Sequence, residues 1–461
     1  MRPATLTALR SRRLASALTL GVALMLGLTG PAGAGEATTS ALTSTEPLAC
    51  TVTVPNGERL VDGTGNYAHV RPGDTICLQA GVRGELRLFN LSGTAERPGT
   101  VRNSGGSVEI SASGAYAGIQ IRNSSHLRVT GGGVEQQCGA RFTEAEQRCG
   151  IRIAQSFNGL TGKVRTENLT VDHVEVGHVS SSGMGVYDKQ LQRGEWVQRD
   201  IAFRDIYLHD IATEGHYHGS SDYVDGTSIL LAGVEISRNL VVRTGRDGIQ
   251  VGSAPWRCSI SHNVVRDSGL NRESSHAFGI IVNRGAACDL EGNTISGSAG
   301  DGLYDQGLHG QRIVNNLVIR SGRFQAGTGI NVREGNQSPT NPETPDYPRS
   351  TRIWHNTIVT TTDRGIRLGN TAGKANHLSN NIVTGAAAGT LKLASGVTAT
   401  RLGNVLQPTN PRFLAPAADD YRLQPSSPAA TAGATVPVLT DLLSKPRPVM
   451  APSAGAYQAS P

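Results

Sequence analysis

Residues 248–283 read GIQVGSAPWRCSISHNVVRDSGLNRESSHAFGIIVN. The stretch opens and closes on one phrase: a glycine, an apolar residue, a variable one, an apolar one, then a small or polar one. Between the two copies lies an alternating segment centred on Asn263. Alternation over so few residues marks short strands with one buried face. The glycine phrase also occurs at Gly118, Gly150, Gly185, Gly215, Gly302, Gly329 and Gly365, and the second pattern recurs with Asn239, Asn293, Asn316, Asn356 and Asn381. A spacing of roughly 23 to 36 residues is too short for a domain and suits one turn of a solenoid. The reading is a parallel β-helix. Its coils stack about 4.8 Å apart, so an Asn buried at one turn can hydrogen-bond to its counterparts above and below.

Composition agrees. The chain has 461 residues with 57 Gly and only 4% aromatic residues, and its 17% charged residues form no blocks. This excludes a coiled coil and a wholly disordered chain. Arg2, Arg10, Arg12 and Arg13 precede the apolar run 14–28 and the small residues Ala32, Gly33 and Ala34, so residues 1–34 are expected to be a secretory signal peptide. Without those four arginines the 43 basic and 37 acidic residues nearly balance, which argues against a nucleic-acid partner. Residues 35–48 read as a polar linker, 49–385 as the β-helix, and 386–461 as a C-terminal cap and tail packing on it. Six cysteines in an exported chain predict three disulfides. Cys258 and Cys288 each stand five residues before a ladder Asn and so stack on adjacent coils, and the other pairs are expected to be Cys50–Cys77 and Cys138–Cys149.

The pattern over roughly residues 50–385 resembles the secreted right-handed parallel β-helix proteins of the pectate-lyase-like superfamily. The stretch GDTICLQAGVRGELRLFNLSGTAERPGTVRN (73–103) resembles their first coils, and DYRLQPSSPAATAG (420–433) their closing segment. The resemblance implies an all-β, single-stranded, right-handed β-helix with capped ends. It transfers no catalytic set, because the DPHD motif of mannuronan epimerases, the paired carboxylate motifs of polygalacturonases and the WIDH motif of pectate lyases are absent.

Long insertions follow the glycine strand at 189–199, 219–227, 252–257 and 334–350. Loops leaving one edge of one strand on successive coils wall a groove, and a groove suits a polymer. Trp196 and Trp256 fall in these loops and are placed to stack on sugars. Outward positions of the glycine strand supply Gln120, Arg152, Tyr187, Tyr217, Gln250, Tyr304, Asn331 and Arg367, then Lys189, Asn283, Gln306 and Arg333. Arg284, His309 and Glu334 join them as substrate-binding candidates. Lys189 stands out because the chain has five Lys against 38 Arg.

Asp188, His216, His218 and Asp305 occupy positions that are apolar elsewhere, so either the strands end early there or these residues belong to a site. The segment HDIATEGHYHGSSDYVDG (209–226) is the most site-like, and His216, Asp222 and Asp225 are its candidate metal ligands: the two histidines on one strand face suit a transition metal and the loop carboxylates suit calcium, so the ion stays open. Asp247 and Asp301 precede glycines and read as turn residues. Asp188 and Asp305 lie roughly 19 Å apart, too far for a glycosidase pair, whereas Asp305 and Glu334 are neighbours. β-Elimination of a uronic-acid polymer needs a cation, a base and an acid, and Tyr187, Lys189, Tyr217, His218, Tyr304, Asp305 and Arg333 are the catalytic candidates. The expectation is therefore a secreted, monomeric polysaccharide lyase, with a glycoside hydrolase or a polysaccharide-binding surface protein as alternatives.

Overall fold

The computed structural model describes residues 49–132, 137–163, 165–187, 192, 194–220, 229–308, 310–333, 350–371 and 375–460. They build stacked coils of parallel strands, divided into a 23-stranded sheet that wraps around the solenoid and a 12-stranded sheet on the remaining face. One coil consists of Val197–Arg204 and Tyr207–Ile211 in the large sheet and His216–His218 in the smaller one.

In the 12-stranded sheet the register is unbroken from coil to coil. Met184, His216, Ile249, Ile280, Leu303, Ile330 and Ile366 form one inward column, and Val186, His218, Val251, Val282, Asp305, Val332 and Leu368 form the other. Between them Gly185, Tyr217, Gln250, Ile281, Tyr304, Asn331 and Arg367 point outward. The inward columns feed a single apolar core running the length of the solenoid. Each residue of the inward column from Met184 to Ile366 follows a glycine because successive turns touch there: a Cβ at Gly215 would lie 2.5 Å from the Gly248 carbonyl oxygen, and one at Gly248 would lie 2.7 Å from that of Gly279.

Two copies of the glycine phrase sit elsewhere than the sequence suggests. The copy at Gly150 belongs to the large sheet, where Ile151–Ala154 pairs with Val174–Val179, so Arg152 does not face the groove. In the next coil the column's glycine is Gly183, whose turn abuts Gly215, and the phrase beginning at Gly185 is two residues late.

The asparagine ladder forms. Oδ1 of Asn263, Asn293, Asn316, Asn356 and Asn381 each accepts the backbone N–H of the preceding rung at 2.9–3.1 Å. Side-chain amides link the rungs too, as from Asn293 Nδ2 to Asn316 Oδ1 at 3.0 Å. Asn404 adds a further rung below Asn381. Parallel pairing thus continues past residue 385 to Val405–Leu406. The tail beyond it lies along the flank: Phe413, Tyr421, Leu423 and Ala454 cover Leu317, Ile319, Val359 and Ile382 from successive coils. Arg447 reaches Asn315 at 2.9 Å. The disulfides are Cys50–Cys77, Cys138–Cys149 and Cys258–Cys288, as expected. No helix among the described residues is long and apolar enough to cross a membrane.

Candidate functional site

The candidate site lies along the outer face of the 12-stranded sheet, and its chemistry concentrates on the coils between Tyr116 and Asp301; most of the loops expected to wall a groove there lie outside the described residues. At its centre are Glu214 and Asp247, each the residue before a column glycine. Both are enclosed, at 4% and 0% exposure. The loop after Val264–Arg266 carries His276 over them, with Nδ1 3.3 Å from Asp247 Oδ2 and 3.8 Å from Glu214 Oε1. Asp247 Oδ1 accepts the Phe278 N–H at 2.9 Å, which fixes the carboxylate.

Burial, reinforced by the nearby Glu214 charge, pushes the Asp247 carboxyl up to about 6. The hydrogen bond that His276 donates to Asp247 raises the imidazole above its ordinary value. His276 remains the solvent-facing member, with 29% of its side chain exposed. A carboxylate that holds one imidazole nitrogen leaves the other directed outward as a proton acceptor or donor. Arg246 supplies positive charge beside it, 3.5 Å from Glu214 and 3.0 Å from Glu273.

On the adjoining coils is a phenol and ammonium cluster. Gly185 leaves its outward position empty, and the Tyr187 ring folds back over it; a Cβ there would lie 3.2 Å from the ring. Tyr187 meets Tyr217 edge-on at 5.3 Å. Its hydroxyl shares a 3.0 Å hydrogen bond with Tyr116. Lys163 donates to Tyr116 and lies 4.8 Å from the centre of the Tyr187 ring. Burial first, then Tyr116, raise the Tyr187 hydroxyl well above the ordinary tyrosine value, so it stays protonated. Glu214 acts on it in the same direction and ties the two clusters together. Tyr116 and Phe157, at 40% and 49% exposure, form an open aromatic surface beside Lys163.

Further along, Phe278 and Tyr304 stack face to face at 4.2 Å, and Arg333 donates to the Tyr304 hydroxyl at 3.0 Å. Asp301 accepts from Asn331 at 2.8 Å, and burial raises its carboxyl to about 6. Asn283 accepts from Gln306 at 2.8 Å and from the Arg284 N–H at 2.7 Å. Along the same face, Thr161 Oγ1, Gln250 Oε1, Asn331 Oδ1 and Arg367 Nε are enclosed without a hydrogen-bond partner among the described residues. Such groups are costly unless a ligand or water meets them.

Several expected site residues lie elsewhere. His216 and His218 are 0% and 1% exposed inside the solenoid, stacked about Phe203 and hydrogen-bonded to each other at 3.1 Å. The strand does not end early there; the imidazoles enter the core, and burial lowers both, His218 to about 3. Neither reaches the groove as a catalyst or a metal ligand. Asp305 is also interior, accepting from Gly307 N and Gln311 Nε2 at 2.9 and 2.6 Å. Trp196 packs on the core beneath Arg165, and the backbone of Trp256 bridges to Ala232 of the large sheet. Asp188, Lys189, Asp222, Asp225, His309 and Glu334 lie outside the described residues. Sequence reading missed Tyr116, Phe157 and Lys163, and it set aside Asp247 and Asp301 as turn residues.

Residues 196–406 match the family model of the right-handed beta helix region. The chain is a right-handed parallel β-helix. Among solved structures similar to this β-helix is pectate lyase Pel9A, with 12% identity over 88% of this chain and 97% of its own and a TM-score of 0.47. Another is the mannuronan C-5 epimerase AlgE4 A-module of Azotobacter vinelandii, with 14% identity, 76% and 92% coverage and a TM-score of 0.43. A third is an alginate lyase from Paenibacillus sp. str. FPU-7, with 13% identity, 77% and 100% coverage and a TM-score of 0.40. No curated protein matches the chain by sequence. These likenesses concern the course of the backbone, and no residue role is taken from them.

Proposed function

We propose that the β-helix is an extracytoplasmic enzyme that cleaves a uronic-acid-containing polysaccharide by β-elimination in the groove over its 12-stranded sheet. One observation carries the reading: His276 lies over the enclosed Asp247 and Glu214 carboxylates, and Glu214 also acts on Tyr187, which meets Tyr217 and Lys163 on the preceding coils. Elimination requires removal of the proton α to the uronate carboxylate, neutralisation of that carboxylate, and protonation of the leaving oxygen. His276 is the base, Arg246 is the cation beside it, and a tyrosine hydroxyl kept protonated at Tyr187 is the acid. Tyr116 and Phe157 offer the stacking surface. Three disulfides with no free cysteine among the described residues support an oxidising compartment.

A second reading is hydrolysis, because Glu214 and Asp247 offer oxygens within 4.8 Å of one another and Asp247 is raised toward an acid's range. Incubation with a panel of uronate and neutral polysaccharides separates the two. Unsaturated, ultraviolet-absorbing products together with new reducing ends support elimination. Reducing ends alone move the chemistry to the carboxyl pair, and silence with retention in a polysaccharide gel leaves a binding protein.

A further inference from the structure

The large sheet carries a second cluster that the groove chemistry does not use. His209, on Tyr207–Ile211, is paired in register with Gly177 on Val174–Val179 of the preceding coil. The pairing makes room for an imidazole: a Cβ on Gly177 would lie 2.4 Å from His209 Cε1 and 2.5 Å from Nε2. His178 stands beside it, its ring edge-on to His209 at 5.3 Å. Asp210 completes the group. One nitrogen from each imidazole and one Asp210 oxygen all lie within 4.8 Å of one another.

The surroundings suit a metal. His209 Nδ1 is 2.8 Å from Asp210 Oδ2, while its Nε2 faces Glu175 Oε1 at 3.3 Å. An imidazole that has a ligand position on one nitrogen and a carboxylate on the other is the usual arrangement of a metal-bound histidine. Both carboxylates are themselves anchored, Asp210 by Arg243 at 2.8 and 3.1 Å and Glu175 by Arg152 at 3.1 and 3.2 Å. Glu109 and Glu144 lie within 3.7 and 2.7 Å of those arginines, so the two guanidinium charges are offset. A cavity of about 290 Å³ opens on the cluster, lined by Glu109, Arg152, Glu175, His178 and His209 among others.

We infer that His178, His209 and Asp210 form a binding site for a divalent transition-metal ion on the large sheet, separate from the groove. Two imidazoles and one carboxylate favour Zn²⁺, Ni²⁺ or Cu²⁺ over the oxygen-seeking Ca²⁺ and Mg²⁺. Glu175 holds His209 through its second nitrogen, and the remaining coordination positions face the cavity. On binding, the ion takes the place of the proton between His209 and Asp210, so one proton is released.

Calorimetric titration of the full metal-free chain with Zn²⁺ tests this, alongside His178→Ala, Gly177→Ala and His276→Ala. The expected result is one ion per chain, bound at least tenfold more weakly after His178→Ala or Gly177→Ala and unchanged after His276→Ala. Because His178 is exposed, His178→Ala should keep the wild-type melting temperature without metal, and a matching melt shows that the loss is one of ligation. Zn²⁺ affinity unchanged in His178→Ala, absence of binding by Zn²⁺, Ni²⁺ and Cu²⁺ alike, or loss only in His276→Ala would each overturn the assignment.

Discussion

His276 Nδ1 lies 3.3 Å from an Asp247 carboxylate that has no solvent exposure, so one imidazole nitrogen is held by a buried carboxylate while 29% of the His276 side chain stays exposed. If this pair moves the proton, the two residues contribute unequally. His276→Ala should lower kcat by about 10²–10⁴-fold, the range for a lost general base. Asp247→Asn keeps the shape and should cost less, with KM little changed in both. Steady-state kinetics on the polymer that proves to be the substrate checks this.

The same burial gives stability a pH dependence. Asp247 and Asp301 have folded-state values raised to about 6 against 3.8, so the folded chain binds more protons than the unfolded one between these values. Stability is fully present below about pH 4 in this respect and falls as pH rises to about 6, by on the order of 2–3 kcal/mol for each carboxyl. Asp301→Asn should flatten that part of a denaturant-derived stability profile, and an unaltered slope would contradict the burial argument.

Gly185 should be intolerant of a side chain for a functional reason. The Tyr187 ring lies 3.2 Å from where a Cβ would stand, so Gly185→Ala displaces the ring from Tyr217 and Lys163. The expected outcome is a fall in kcat comparable with that of Tyr187→Phe, while the melting temperature moves by only a few degrees.

The asparagine ladder should weaken according to position. Asn293 accepts from Asn263 and donates to Asn316 and to the Ile260 carbonyl, all within the buried turn. Asn293→Ala leaves several buried groups unpaired and should cost about 3 kcal/mol or more, since each orphan costs about 1–3 kcal/mol. The half-buried terminal rung Asn404 should cost visibly less, and equal losses in chemical denaturation would contradict the stacking account.

The coils were legible because Gly and Asn repeat wherever stacked turns touch, and because Cys258 and Cys288 keep a fixed offset from the ladder. Even the slip from Gly183 to Gly185 kept Tyr187 on the outer face, because a strand repeats every two residues. Arg152 was misplaced because Ile151–Ala154 has the same local phrase on another face, and only coil-to-coil pairing tells them apart. Asp247 reads as a turn residue until the loop bearing His276 closes over it, a contact between residues well separated in sequence. His216 and His218 looked like a site, but Phe203 gives their rings an interior partner. Lys163 and Tyr116 were hidden because they meet across coils, outside any motif.

In the proposed elimination, His276 removes a proton from a uronate chain bound over the 12-stranded sheet. The most direct test measures unsaturated product and polysaccharide binding side by side for the wild type and His276→Ala. The account expects His276→Ala to bind the polymer with affinity near the wild type while forming almost no unsaturated product. Full product formation by His276→Ala, or no unsaturated product from the wild type on any uronate polymer it binds, would contradict it.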